Sequence, residues 1–123
     1  MRLAHPRRAY LMGLCELQKG EPEAAGRWLG EALDQAQISG NSRIQGAALA
    51  ALGSVNFVQL QFEQTLEFVS QALTYPVSPY VQVQALMARA SVALFSGDWV
   101  GAAADLERAL QIVESTDGQE ALL

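Results

Sequence analysis

Residues 88–110, ARASVALFSGDWVGAAADLERAL, decide the fold, because their layout recurs twice upstream. In this stretch Ala88-Arg89-Ala90 leads through Ser96-Gly97-Asp98 to Arg108-Ala109-Leu110. Ala51-Leu52-Gly53 leads in the same way through Gln59-Leu60-Gln61 to Gln71-Ala72-Leu73. Leu11-Met12-Gly13 leads through Lys19-Gly20-Glu21 to Glu31-Ala32-Leu33. Corresponding positions lie 40 residues apart from Gly13 to Gly53 and 37 apart from Gly53 to Ala90, while the offsets inside each unit stay constant. A small residue sits seven positions before each turn, and Ala-Leu closes each unit a dozen positions after it. Constant offsets at a period of this size mark a repeat architecture.

Each unit reads as a helix, a tight turn and a second helix. In the first, Tyr10, Leu11, Leu14, Cys15 and Leu17 recur at helical spacing, and Ala25, Leu29, Ala32, Leu33 and Ala36 form the second stripe. Gly20-Glu21-Pro22 breaks the chain between them, with Pro22 suited to a first helical turn. In the third unit Ser78 caps and Pro79 starts a helix to about Phe95, Gly97-Asp98 turns, and Asp98 caps the last helix. Connectors are expected at Ile38 to Ser42 and at Tyr75 to Pro79, so that all four prolines fall at joints. Gly13, Gly53 and Ala90 share one slot on the first helices, and Ala25, Thr65 and Ala102 share one on the second; Ala32, Ala72 and Ala109 recur near the end. Glycine inside a helix costs about 1 kcal/mol relative to alanine, which points to close backbone approach. Small residues scattered through an Ala-rich helix would explain the composition but not the shared offsets.

Composition bounds the class. The chain has 123 residues and 13.2 kDa, one domain's worth, and is half apolar. Lys+Arg 8 against Asp+Glu 13 gives a net charge of −5, which argues against direct contact with nucleic acid. The Arg2, Arg7, Arg8 cluster with His5 is the one basic patch, and it reads as a solvated helix start. The single Cys15 excludes an internal disulfide; on an apolar stripe without a histidine nearby it is expected as a buried structural thiol. His5 has no partner at metal-ligand spacing, and Gly13, Gly20, Gly26 and Gly30 form no phosphate loop. Pairs such as Glu21 and Glu23 or Asp105 and Glu107 read as helix-start and surface carboxylates. The expectation is a cytoplasmic, non-enzymatic domain without cofactor, metal or membrane segment; no apolar run approaches the roughly 20 residues of a span.

With these residues in view, the chain resembles the tetratricopeptide (TPR) repeat family. Leu52-Gly53, Gly97-Asp98-Trp99, Ala25, Ala102, Ala32-Leu33, Ala72-Leu73 and Ala109-Leu110 match its pattern over about residues 7–116. It departs at Leu60-Gln61-Phe62 in the second turn and at Glu16, Asn56 and Ala93, where the family has an aromatic. The long period is similar to the TPR region of MalT-like bacterial transcriptional regulators. The resemblance implies an all-α domain over 1–123, three antiparallel helical hairpins wound as a right-handed α-solenoid. The repeats cover about 5–38, 42–76 and 79–116, and 117–123 begins a truncated further helix or a cap.

The same resemblance places function on the concave face lined by the first helix of each unit. The groove positions carried over are Arg7, Tyr10, Leu14, Leu17 and Gln18, then Ala47, Ala50, Ser54, Phe57 and Val58, then Gln84, Met87, Ser91, Leu94 and Phe95. Only Arg7 fits the polar set with which TPR domains grip a terminal carboxylate, so a chaperone-tail clamp is rejected. An apolar groove suits a protein or peptide helix, a small apolar effector or a neighbouring segment of the same protein, although Leu14, Leu17, Phe57 and Leu94 also read as plain core. Between Arg43 and Arg89 the only charges are Glu63 and Glu67, which fits either a covered middle repeat or a contact surface. At the other end Trp99, Ala103, Leu106, Leu110 and Val113 form a stripe followed only by Ser115 to Leu123. Gln119-Glu120-Ala121-Leu122-Leu123 resembles an opening repeat, so the chain reads as a fragment of a longer protein or as an array that self-associates. A homodimer through Trp99, Leu106, Leu110, Leu122 and Leu123 is the form expected, since burying a Leu contributes roughly 1.5–3 kcal/mol. A free-standing self-associating adaptor is the alternative to a regulator segment.

Overall fold

Helix starts and stops follow from local chemistry. The computed structural model describes residues 5–115, which form six helices and no strand: α1 (Pro6–Gln18), α2 (Pro22–Ser39), α3 (Ser42–Val58), α4 (Phe62–Ala72), α5 (Pro79–Ser96) and α6 (Trp99–Ser115). Pro6, Pro22 and Pro79 open α1, α2 and α5, where a missing N–H is no loss. Three side chains cap. Asn41 accepts from the Ile44 amide at 3.1 Å, Ser78 from the Val81 amide at 3.3 Å and Asp98 from the Gly101 amide at 2.9 Å. The first connector is shorter than the expected Ile38–Ser42. Gly40, in the left-handed region, ends α2, and Asn41 starts α3 at once. The second covers 73–78, because α4 stops at Ala72.

The turns between α1 and α2, α3 and α4, and α5 and α6 are one device used three times. Each places one residue in the left-handed region: Gly20 at φ 78°, Leu60 at φ 61° and Gly97 at φ 81°. Leucine is the misfit, since a side chain there costs roughly 1–2 kcal/mol.

The most extensive packing joins α1 to α2, α3 to α4 and α5 to α6. Helix α3 packs also on α2, and α5 on α4. The odd helices touch in chain order, α1 with α3 and α3 with α5, while α2, α4 and α6 do not touch one another. Small residues set the separation. A Cβ on Gly13 would lie 2.5 Å from Leu29 Cγ, and one on Gly53 would lie 2.6 Å from Val69 Cγ1. Ala25, Ala32, Ala72 and Thr65 are fully enclosed and Ala102 and Ala109 nearly so; the Thr65 hydroxyl donates to the Gln61 carbonyl at 3.0 Å. The shared offsets therefore mark close approach between helices. The largest core cluster draws Ala47, Leu49 and Ala50 from α3, Val69 and Ala72 from α4, Val77, and Val81 and Ala85 from α5.

Two sequence expectations need correction. On α1 the buried line is Ala9 and Gly13, with Tyr10, Leu14 and Leu17 half-buried, whereas Leu11 and Cys15 face outward. Cys15 is thus an exposed thiol and not a buried one. The line of contact follows the small residues because they let α2 come closest, which turns the neighbouring large ones aside. Asp105 is likewise more than a surface carboxylate. Arg89 donates to both its oxygens at 2.8 Å, a bidentate tie between α5 and α6.

Leu60→Gly should raise stability by about 1 kcal/mol, since it relieves the left-handed strain in a side chain that packs little. Urea unfolding followed by circular dichroism measures it; an unchanged or lower midpoint would show that Leu60 contributes contacts that outweigh its backbone.

Candidate functional site

Where α1, α3 and α5 lie side by side, their outward stripes leave two adjoining recesses. The first, about 360 Å³, lies between α3 and α5 and is lined by Ser54, Phe57, Val58, Tyr80, Val83, Gln84, Met87, Ala88 and Ser91. The second, about 350 Å³, is bounded by Arg7, Tyr10, Leu11, Arg43, Ile44, Ala47, Ser78, Tyr80 and Val81. Tyr80 belongs to both, so it forms the partition of one longer groove. Leu11, Val58, Tyr80 and Met87 are all at least half exposed, which makes the groove an open surface.

Of the groove positions expected from the sequence, Arg7, Tyr10, Ala47, Ser54, Phe57, Val58, Gln84, Met87 and Ser91 line these two recesses. Leu14 and Leu17 instead pack against Ala25, Leu29, Ala51 and Val55 in the interior, and Ala50 is fully enclosed. Gln18 is exposed at the end of α1. Leu94 and Phe95 lie exposed beyond the recesses. Phe95 meets Phe57 and Phe62 at ring-centroid distances of 5.8 and 5.4 Å, and Phe57 stacks on Phe62 at 5.6 Å, an aromatic trio beside the α3–α4 turn. Of the expected self-association residues, Trp99, Leu106 and Leu110 are exposed on α6, and Leu122 and Leu123 lie outside the described residues.

Tyr80, Arg43 and Leu11 were missed, yet a signal for them existed. Tyr80, Gln84, Met87 and Ser91 continue one another at spacings of four, three and four on α5. Arg43 precedes Ala47 by four, and Leu11 follows Arg7 by four. Extending the α3 and α5 stripes back by one turn would have found Arg43 and Tyr80, and filling the i+4 position after Arg7 would have found Leu11.

The polar groups of the groove are few, and only Arg7 and Arg43 carry charge. Gln84 Oε1 is buried without a hydrogen-bond partner, so a donor arriving from a ligand would relieve an unsatisfied acceptor. Burial, and then the neighbouring Tyr80, push the Tyr10 phenol above its usual range and keep it protonated. A further recess between α4, α5 and α6 has its polar side chains spoken for, with Arg89 on Asp105, Asp98 on the Gly101 amide and the Ser96 hydroxyl on the Val92 carbonyl. Among the described residues no three His, Cys, Asp or Glu side chains gather as for a metal ion, and no helix is long and apolar enough to cross a membrane. Compared with protein-family models, curated proteins and solved structures, the chain matches none. It stands as an all-α chain with an open, largely apolar groove along its odd helices.

The Tyr10 shift has a pH consequence. A raised folded-state pKa means that the native chain holds this proton more tightly than the unfolded one. Its contribution is full below the unfolded value, near 10.0, and is lost as pH rises through the higher folded value. Tyr10→Phe should therefore flatten the alkaline decline of the urea midpoint, and a decline as steep as in the parent would assign it to other groups.

Proposed function

We propose that this chain is a TPR-like array of three helical hairpins, wound right-handed, that acts as a non-enzymatic interaction module. Its setting is the sensory or oligomerisation segment of a bacterial transcriptional regulator of the MalT-like type. It takes a partner helix or an apolar effector in the groove of α1, α3 and α5. The observation that carries this reading is the continuity of the two recesses through Tyr80, with half-exposed Met87, Val58 and Leu11 along the groove. Such an open strip suits the i, i+3, i+4, i+7 face of a helix better than it encloses a small substrate. Its lining pairs no nucleophile with a base: the side chains are apolar, amide, hydroxyl or guanidinium. Occupancy would bridge α1, α3 and α5, of which α1 meets α3 and α3 meets α5 while α1 and α5 do not touch, and this is the step by which the module would signal.

A second reading, a self-associating adaptor, is favoured by one comparison inside the chain. Leu29, Val69 and Leu106 occupy the same position of α2, α4 and α6. The first two are 0 % exposed, under the helix that follows, whereas Leu106 is 42 % exposed and Leu110 beside it 55 %. A second copy laid over α6 would supply the missing cover.

A fluorescent amphipathic peptide, Leu on one helical face and Gln on the other, should bind the chain and raise its anisotropy. Met87→Glu should weaken that binding at least about tenfold, which is about 1.4 kcal/mol; equal affinity in this variant would set the groove reading aside. For the second reading, Leu106→Glu should lower the solution mass of any dimer measured by light scattering across a dilution series. A dimer that survives the substitution would remove α6 from the interface.

A further inference from the structure

Charge is sorted between the two sets of helices. The odd helices α1, α3 and α5 carry Arg7, Arg8, Arg43 and Arg89 against Glu16 alone, a net of +3. The even helices carry Arg27 and Arg108 against eight carboxylates, a net of −6. Among the described residues, the groove thus runs along the helices of net positive charge in an acidic chain.

The sorting continues inside the groove. Arg89 is held by Asp105 and Glu16 by Lys19, so neither contributes there. No carboxylate lines either recess. The half beyond Tyr80 holds Arg7 and Arg43 together with the Tyr10 phenol, all of them hydrogen-bond donors, while the Met87 half carries no charge and holds the unpartnered Gln84 Oε1. A ligand that fits both halves has carboxylates at one end and, at the other, an uncharged face that is apolar toward Met87 and can donate to Gln84 Oε1.

Resting on the groove reading above, we infer that the occupant is an amphipathic protein helix with an acidic end, seated with its carboxylates on Arg7 and Arg43 and its apolar face on Tyr80 and Met87. Charge complementarity selects the acidic end. The exposure of Met87 and Tyr80 selects a helix over a small carboxylate, which would leave both wet. The arginines set orientation as well as affinity: a helix laid in reverse would leave its carboxylates against Met87 and both guanidiniums unanswered.

The test uses the full chain and two labelled peptides of the same Leu-faced sequence. One ends in three Glu residues, the other in three Gln. The Glu peptide should bind about tenfold more tightly at low salt, and the gap should close as salt screens it. Arg7→Gln combined with Arg43→Gln should reduce the Glu peptide to the affinity of its Gln twin. Arg8→Gln, a charge of the same helix outside the recesses, should leave the difference in place. Equal binding of the two peptides, untouched by the arginine variants, would overturn the acidic-end inference and leave the groove reading intact. Binding of neither peptide would overturn both. A short DNA duplex bound more tightly than the Glu peptide would assign the arginines to phosphate and overturn the inference as well.

Discussion

The contact on which the rest depends is the seating of a large side chain over a helical glycine: Leu29 over Gly13 and Val69 over Gly53. A methyl group at either glycine would collide with the side chain above it, so the absence of a Cβ sets the spacing of α1 on α2 and of α3 on α4, while Ala90 holds the slot between α5 and α6. Small residues at Ala25, Thr65 and Ala102 complete the close approach from the other side. With small residues along the line of contact, the large residues of α1 and α5 that do not fit between paired helices are turned outward. The groove is lined by those side chains together with residues of α3 such as Phe57 and Val58.

Apolar side chains kept at a surface are a clue to contact, since a core position would have been more favourable by roughly 1.5–3 kcal/mol for each large one. The arrangement of charge sharpens that clue. α5 carries one cation, Arg89, and the bidentate pair with Asp105 turns it to α6 and away from the groove. What remains is an uncharged half beside α5 and a half with two arginines beside α1, divided by Tyr80. Polarity along a groove gives a ligand a direction, and a directed ligand can report on which way its own chain enters.

The three pairs are alike in sequence and unlike in surroundings, which separates what a repeat encodes from what its neighbours supply. Leu29, Val69 and Leu106 hold one position, and among the described residues only the first two are covered by a following helix. The turns show the converse. Leu60 adopts the same left-handed backbone as Gly20 and Gly97, although nothing in its own chemistry favours it. Packing of α3 on α4 imposes the conformation, and the residue bears the strain.

The sequence by itself determined the local breaks and the small-residue slots. Proline at helix starts, Ser78 and Asp98 as caps, glycine at the turns and small residues at constant offsets act within a few residues of themselves, so their effects are legible without neighbours. The tertiary structure decided which way each helix faces. Periodicity marked Tyr10, Leu11, Leu14, Cys15 and Leu17 as one stripe, but the helix rotates until Ala9 and Gly13 meet α2, which exposes Cys15 and buries Leu17 in part. It also decided that Asp105 would find Arg89, that Phe62 would join Phe57 and Phe95, and that Tyr80 would divide the groove. These pairings join residues of different helices, and their energies depend on the separation that the helices reach only once they are packed.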